Sequence, residues 1–230
     1  MIETMQQLPM LQGLTTEEFN DILMHISLDF RSFEAGETIV HQGDTCSRLI
    51  FIIDGEYEAE YRNAENSFSV TQVSQDTPVL IEPHNLFSVR RKYERSYTFT
   101  THGATFSIAK EVFTGRLLNN PIVRSNLINM LSNQTSKLRT QAYFDLPTDI
   151  GQRMAAFISS FTTDGKGKVR VNIAMDTLAD LTDETRLNVS KVLNEWDDKG
   201  LIELHRLWFD VADLERLKAS TNPSKGGEKD

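Results

Sequence analysis

The spacing of apolar residues changes once along this 230-residue chain, and that change limits what it can fold into. Through residues 28–110 they come in short runs rich in Val, Ile, Phe, Tyr and Thr, among them RLIFIIDG, EYEAEYR, SFSVTQV and ATFSIAK. Gly36, Gly43, Gly55 and Gly103 fall between or at the ends of such runs. Short strands punctuated by turn residues predict an antiparallel β-sandwich or barrel. The alternation in EYEAEYR predicts one face in water. After Glu111 the period becomes helical. VFTGRLLNN predicts a short helix, and Pro121 fits the first turn of a longer one, PIVRSNLINMLSNQTSKLRTQAYF. Its apolar stripe is Val123, Leu127, Met130, Leu131, Leu138 and Ala142. Such a stripe can cover the β domain or pair with the same helix of a second chain. A further short helix, TTEEFNDILMH, precedes the strands, with Thr15 or Thr16 to cap it.

Beyond a Pro-containing break at residues 145–149 the order is helix (IGQRMAAFISSF), turn (TTDGKGK), strand (VRVNI), a helix pair, hairpin (LIELHRLWFDV) and helix (ADLERLKAS). TNPSKGGEKD is a polar tail with the composition of a disordered segment. The helix pair is LADLTDETRLNVSKVLNEWDDKGLI. Leu178, Ala179 and Leu181 supply the apolar contacts of its first helix, Thr182, Asp183 and Glu184 form the turn, and Thr185 can cap the second helix. Val189, Val192, Leu193 and Trp196 recur at the spacing of one buried helical stripe. A short turn and a second helix with one polar face are what a major-groove reader requires. On that face Arg186 and Lys191 can reach guanine edges or phosphates, Asn188 an adenine edge, and Thr185 a phosphate at the helix N-terminus. The hairpin reads as a wing with Arg206 near its tip, placed for a backbone contact.

The formal net charge of -9 argues against non-specific nucleic-acid binding by the chain as a whole. The acidity is uneven. Residues 1–149 hold 12 Lys+Arg against 19 Asp+Glu, and residues 150–230 hold 12 against 14. Residues 185–194 hold two cations and no acid. One cysteine, Cys46, leaves no intrachain disulfide framework and no cysteine-ligated zinc or iron–sulfur site. No apolar run approaches the roughly 18 residues of a membrane span, and the N-terminal residues lack a signal-peptide pattern. A cytoplasmic protein without a membrane partner is expected.

The order of sandwich, long helix, break and winged helix resembles the Crp/Fnr family of bacterial transcription regulators over roughly residues 11–217. AGETIVHQGD followed by LIFIIDGEYEAEY, with Gly36, Gly43 and Gly55, is similar to the start of a cyclic-nucleotide-binding β-roll. The helix pair is similar to the family's helix–turn–helix without a gap. The resemblance implies an α+β chain: an N-terminal antiparallel, jelly-roll-like β-roll sensor domain (residues 1–118), a long dimerisation helix (119–144), a hinge (145–149), a winged helix–turn–helix DNA-binding domain (150–220) and the tail (221–230). It implies a homodimer on a pseudo-palindromic duplex, a small-molecule effector and RNA polymerase as a candidate partner. Base- and phosphate-contacting positions fall on Thr185, Arg186, Leu187, Asn188 and Lys191. Asp183 stands where the family has a turn glycine, and Leu187 where many members carry an acidic base-reading residue.

The family's phosphate-binding cassette has an early Gly–Glu pair and a late Arg–Ser or Arg–Thr pair. Arg95–Ser96 fits the late pair, but Glu82–Pro83 stands in place of the early one, ahead of Leu86. Thr135 and Ser136 lie where members reach into the ligand pocket from the long helix. The implied effector pocket is therefore Glu82, Leu86, Arg95, Ser96, Thr135 and Ser136, and cyclic AMP is not its expected ligand. No cofactor or metal is expected. Heme stays open, with His84 the best-placed axial candidate. Two other classes compete: a sensing module whose helical domain docks a protein, and a cupin-type enzyme. Cupin metal sites need clustered histidines, and His41, His84 and His102 are scattered. No enzyme activity is expected.

Overall fold

A computed structural model of the chain describes residues 8–143, 147 and 149–221. In chain order its elements are α1 (Thr16–His25), β1 (Asp29–Phe33), β2 (Thr38–Val40), β3 (Arg48–Asp54), β4 (Tyr57–Arg62), β5 (Phe68–Ser74), β6 (Val79–Leu80), α2 (Pro83–Phe87), β7 (Ser96–Phe99) and β8 (Gly103–Ala109). They continue with α3 (Lys110–Gly115), a 3-10 turn (Leu117–Asn119), α4 (Pro121–Tyr143), α5 (Ile150–Ser160), β9 (Lys168–Ile173), α6 (Met175–Thr182), α7 (Arg186–Asp198), β10 (Ile202–Leu204), β11 (Trp208–Val211) and α8 (Leu214–Thr221). The mixed α and β content, with strands first and a helix–turn–helix last, is the expected fold class. The described residues fall into two compact units, one within 1–56, 75–94 and 98–145, the other within 57–74, 95–97 and 146–230.

The first unit is built on an antiparallel sheet in the order β1-β8-β3-β6. Phe106 on β8 lies opposite Phe30 on one side and Phe51 on the other. The Phe51 and Phe106 rings stack at 4.5 Å, and Phe30 follows at 5.8 Å, so one row of rings crosses three strands. Close packing explains two glycines. A Cβ on Gly103 would fall 2.0 Å from the Phe99 ring, and one on Gly55, whose φ is +98°, would fall 2.7 Å from the Gly103 Cα. A turn that tight against a buried aromatic excludes any side chain. α1 opens with a capping box between Thr15 and Glu18. α4 opens with Pro121 in its first turn and the Asn120 side chain accepting from the amides of Ile122 and Val123.

The stripe on α4 is divided. Val123 and Leu127 are buried, and the Asn126 amide donates to the carbonyls of Met10 and Gln12, tying this half of the helix to its own unit. Met130 and Leu131 are half-buried, and Ile128 is exposed. The Leu138 and Ala142 side chains, residues 145, 146 and 148 of the break, and the tail from residue 222 lie outside the described residues.

The second unit departs from the strand assignment made on sequence. EYEAEYR and SFSVTQV, expected within the N-terminal sandwich, form the β4–β5 hairpin, and β5 pairs antiparallel with β9 from Phe68↔Ile173 to Val73↔Lys168. Strand order here is β10-β11-β9-β5-β4. Alternation tells which side chains share a face, but not which strand lies alongside. The pairing is held along one face of β5, which carries Phe68, Val70 and Gln72. Phe68 and Val70 enter a core with Met154, Ile158, Val171, Val189, Leu193 and Trp196. Gln72, also buried, donates to the Asp164 carboxylate and the Lys166 carbonyl and accepts from the Thr163 amide.

Gly103→Ala should lower the unfolding free energy by about 1–3 kcal/mol through overpacking against Phe99. Gly115→Ala, with open space at its Cβ, should change it by no more than about 0.5 kcal/mol. Urea midpoints for the two variants check this.

Candidate nucleic-acid interface

The helix pair is α6, a tight turn and α7. α6 ends on Asp183, which takes the left-handed conformation at φ 52°, ψ 52°. The Glu184 amide then bonds back to the Ala179 carbonyl at 2.9 Å, closing the helix C-terminus as a glycine there would. Asp tolerates this backbone better than most residues, which is how the turn forms without the expected glycine. Thr185 caps α7 by accepting from the Asn188 amide. α7 ends in the same manner on Gly200, with Leu201 N–H on the Trp196 carbonyl.

One contact of the turn differs from the sequence reading. Leu181, placed among the apolar contacts of α6, is 49% exposed, whereas Thr182, placed in the turn, ends the helix and is buried. Its hydroxyl bonds the Leu178 carbonyl at 2.7 Å, so its polar atom is satisfied inside. A β-branched residue with an internal hydrogen bond does the work that the pattern gave to leucine.

Arg153 on α5 holds the turn. Its guanidinium donates to the carbonyls of Thr182 and Pro147 and pairs with the Glu184 carboxylate. Glu184 in turn accepts from the Asn188 side-chain amide at 3.0 Å. The Asn188 amide, with Arg153 behind it, holds the Glu184 carboxyl below its ordinary range. Arg153 and Glu184 were not legible as site residues. Their only sequence signal is the four-residue spacing of Glu184 and Asn188.

With Val189, Leu193 and Trp196 buried, Leu187 and Lys191 lie on the opposite side of α7, and Thr185, Arg186 and Asn188 complete its first turn. All five expected positions are exposed in the first two turns of α7. Arg186 reaches back to Asp176 at 3.2 Å, an exposed pair worth no more than about 1 kcal/mol that a phosphate or base edge can displace. The wing is the β10–β11 hairpin, with His205, Arg206 and Leu207 between its strands and Arg206 exposed. Its base is a stack. Arg170 lies 4.3 Å over Trp208, and the His205 ring lies 3.5 Å from Trp208 on centroids. Arg170 also makes two 2.8 Å bonds to Asp210, its cross-strand partner.

The implied effector residues are spread differently. Glu82 and Leu86 are buried at α2 in the first unit. The Glu82 carboxylate accepts from the Glu94 amide at 2.6 Å and from the Asn85 amide at 2.9 Å. Thr135 and Ser136 are exposed on α4, and the Thr135 hydroxyl donates to its own helix at Leu131. Arg95 and Ser96 belong to the second unit, where the buried Arg95 guanidinium donates to the carbonyls of Phe161 and Thr162 at the C-terminus of α5. His84 lies 3.1 Å from the Gln134 amide and 3.7 Å from the Glu94 carboxylate.

Residues 152–220 match the Crp-like helix-turn-helix domain family. The chain is 20% identical over 196 residues to a CRP-like cAMP-activated global transcriptional regulator of Mycobacterium tuberculosis, covering 80% of this chain and 84% of that one. In structure it is similar to the catabolite activator protein of Thermus thermophilus, at TM-score 0.51 and 18% identity over 93% of this chain and all of the other. It is likewise similar to a Eubacterium rectale protein assigned to the Crp/Fnr regulators, at TM-score 0.52 and 18% identity over 92% and 98% of the two chains. Among the described residues no helix is long and apolar enough to cross a membrane.

Two outcomes follow from the turn and the wing. Asp183→Gly should stabilise the chain by about 1 kcal/mol, because glycine takes the left-handed backbone without strain, and Asp183→Val should destabilise it by at least that much. The Arg170 bonds hold the Asp210 carboxyl below its ordinary range. A lowered folded pKa gives stability that is complete above the unfolded value, about 3.9, and is lost as pH falls through the folded value. Urea unfolding should therefore separate wild type from Asp210→Asn at about pH 6, and the gap should narrow as pH falls below the unfolded value.

Proposed function

We propose that this chain, with residues 152–220 matching the Crp-like helix-turn-helix domain family and a fold similar to that of the catabolite activator protein, reads a specific pseudo-palindromic DNA sequence as a homodimer. α7 lies in the major groove and the wing on the backbone. The observation that carries this reading is the exposed N-terminal end of α7, where Thr185, Arg186, Leu187, Asn188 and Lys191 are all accessible while Val189, Leu193 and Trp196 are buried. Arg186 and Lys191 take guanine edges or phosphates, Asn188 takes an adenine edge once it leaves Glu184, and Thr185 and Arg206 take phosphates. The dimer forms along α4, where Ile128 is exposed and Met130 and Leu131 are half-covered. Two reading helices then meet half-sites about one helical turn apart. The protein acts in the cytoplasm, catalyses no reaction of its own, and passes its signal to RNA polymerase.

We further propose that its effector, if small, is not cyclic AMP, although the Mycobacterium tuberculosis relative is described as activated by it. Glu82 is occupied by an amide and a side chain of its own unit, Pro83 offers no backbone donor, and Arg95 serves the α5 carbonyls.

The double variant Arg186→Ala/Lys191→Ala tests the DNA reading. It should abolish binding to a selected operator, with each lost base contact worth about 1–3 kcal/mol. The slope of log affinity against log salt should shrink by about 0.9 for each phosphate contact removed. Operator binding unchanged in that variant contradicts the reading. For the effector, cyclic AMP at millimolar concentration should leave the melting temperature unmoved, since any ligand of the native state raises it. A rise would overturn that part alone.

A further inference from the structure

Leu187 is 65% exposed in the first turn of α7, so this large aliphatic side chain contributes little to its own core. Its neighbours are polar and held elsewhere: Arg186 by Asp176, Asn188 by Glu184. One turn further on, Lys191 shares its side of the helix, also exposed. Leu187 is thus an exposed apolar spot among polar neighbours.

The chemistry of base edges says what such a spot selects. In the major groove guanine presents acceptors, cytosine a donor, and adenine one of each. Leucine can pair with none of these, and pressing it on any of them strips water from a polar edge without replacing it, which is costly. Thymine alone adds a methyl group, at C5. Resting on the DNA reading above, we propose that Leu187 is a specificity-determining residue that packs on the C5-methyl of one thymine in each half-site. Arg186 and Asn188 take polar edges on either side. The operator then carries a thymine at a position where a carboxylate at 187 would accept from cytosine.

The test replaces thymine by deoxyuridine, which removes the methyl and nothing else. The operator is first selected with the full chain from random duplexes. Each thymine of one half-site, with its symmetry mate, is then changed to deoxyuridine, and Kd is measured at fixed salt. One position should cost about fourfold per half-site, the effect of one buried methylene-sized group, and about 16-fold for both. In Leu187→Ala, which folds normally because the side chain is exposed, the same change should cost less than about twofold. The salt slope of Leu187→Ala should match wild type, since no charge is lost.

The inference is overturned if every thymine tolerates deoxyuridine in wild type, or if the discrimination survives in Leu187→Ala. Leu187→Ala that loses a bound protein while the deoxyuridine effect persists also overturns it, and makes the residue a protein contact. If selection returns no preferred sequence, the DNA reading itself fails, and the inference with it.

Discussion

Val189, Leu193 and Trp196 occupy one side of α7 at intervals of four and three residues, and all three are buried in a core that also holds Phe68, Met154, Ile158 and Phe209. Their burial fixes the rotation of the helix about its axis. Each large side chain removed from water is worth about 1.5–3 kcal/mol, so turning the helix to present another face would forfeit several such terms at once. With that rotation fixed, Leu187 and Lys191 face away from the core, and Arg186 and Asn188 flank them in the exposed first turn. The candidate reading surface is therefore a consequence of packing on the other side of the same helix.

The second level of control is the turn. Asp183 takes a backbone conformation that favours glycine, and Arg153 reaches from α5 to the Thr182 carbonyl and to Glu184. The chain from Arg153 through Glu184 to Asn188 sets where the Asn188 amide sits before any DNA is present. At the wing, the Arg170–Trp208–His205 stack braces the base of the hairpin whose loop carries Arg206. In both places an arginine packs against a ring or a carbonyl beside the exposed group: Arg153 half-buried, Arg170 exposed. The β5 strand adds a third support. By pairing with β9 it closes what would otherwise be an open edge of a three-stranded wing sheet, and Gln72 ties it to the α5–β9 turn.

The sequence was most legible where periodicity and punctuation agree. The spacing of Val189, Leu193 and Trp196, the capping Thr185 and the long helix from Pro121 are each local, and each was found. The partner of β5 was not. SFSVTQV alternates equally well against a strand of the N-terminal sheet or against VRVNI, and no local rule distinguishes them. The same limit hid Arg153, since its contacts with Thr182 and Glu184 span about 30 residues. Leu181 and Thr182 exchanged roles because hydropathy does not register a threonine whose hydroxyl is satisfied within its own helix. The implied effector pocket was the least legible part. It was carried by resemblance alone, and the structure gives Glu82 and Arg95 other partners in separate units.

The central claim is that α7 reads base sequence. A titration of the full chain against a selected duplex and a shuffled duplex of equal composition, across a salt series, tests it most directly. The account predicts that the selected duplex binds at least about a thousandfold more tightly near physiological salt, with both affinities falling steeply as salt rises. Equal affinities for the two duplexes at every salt concentration would contradict it.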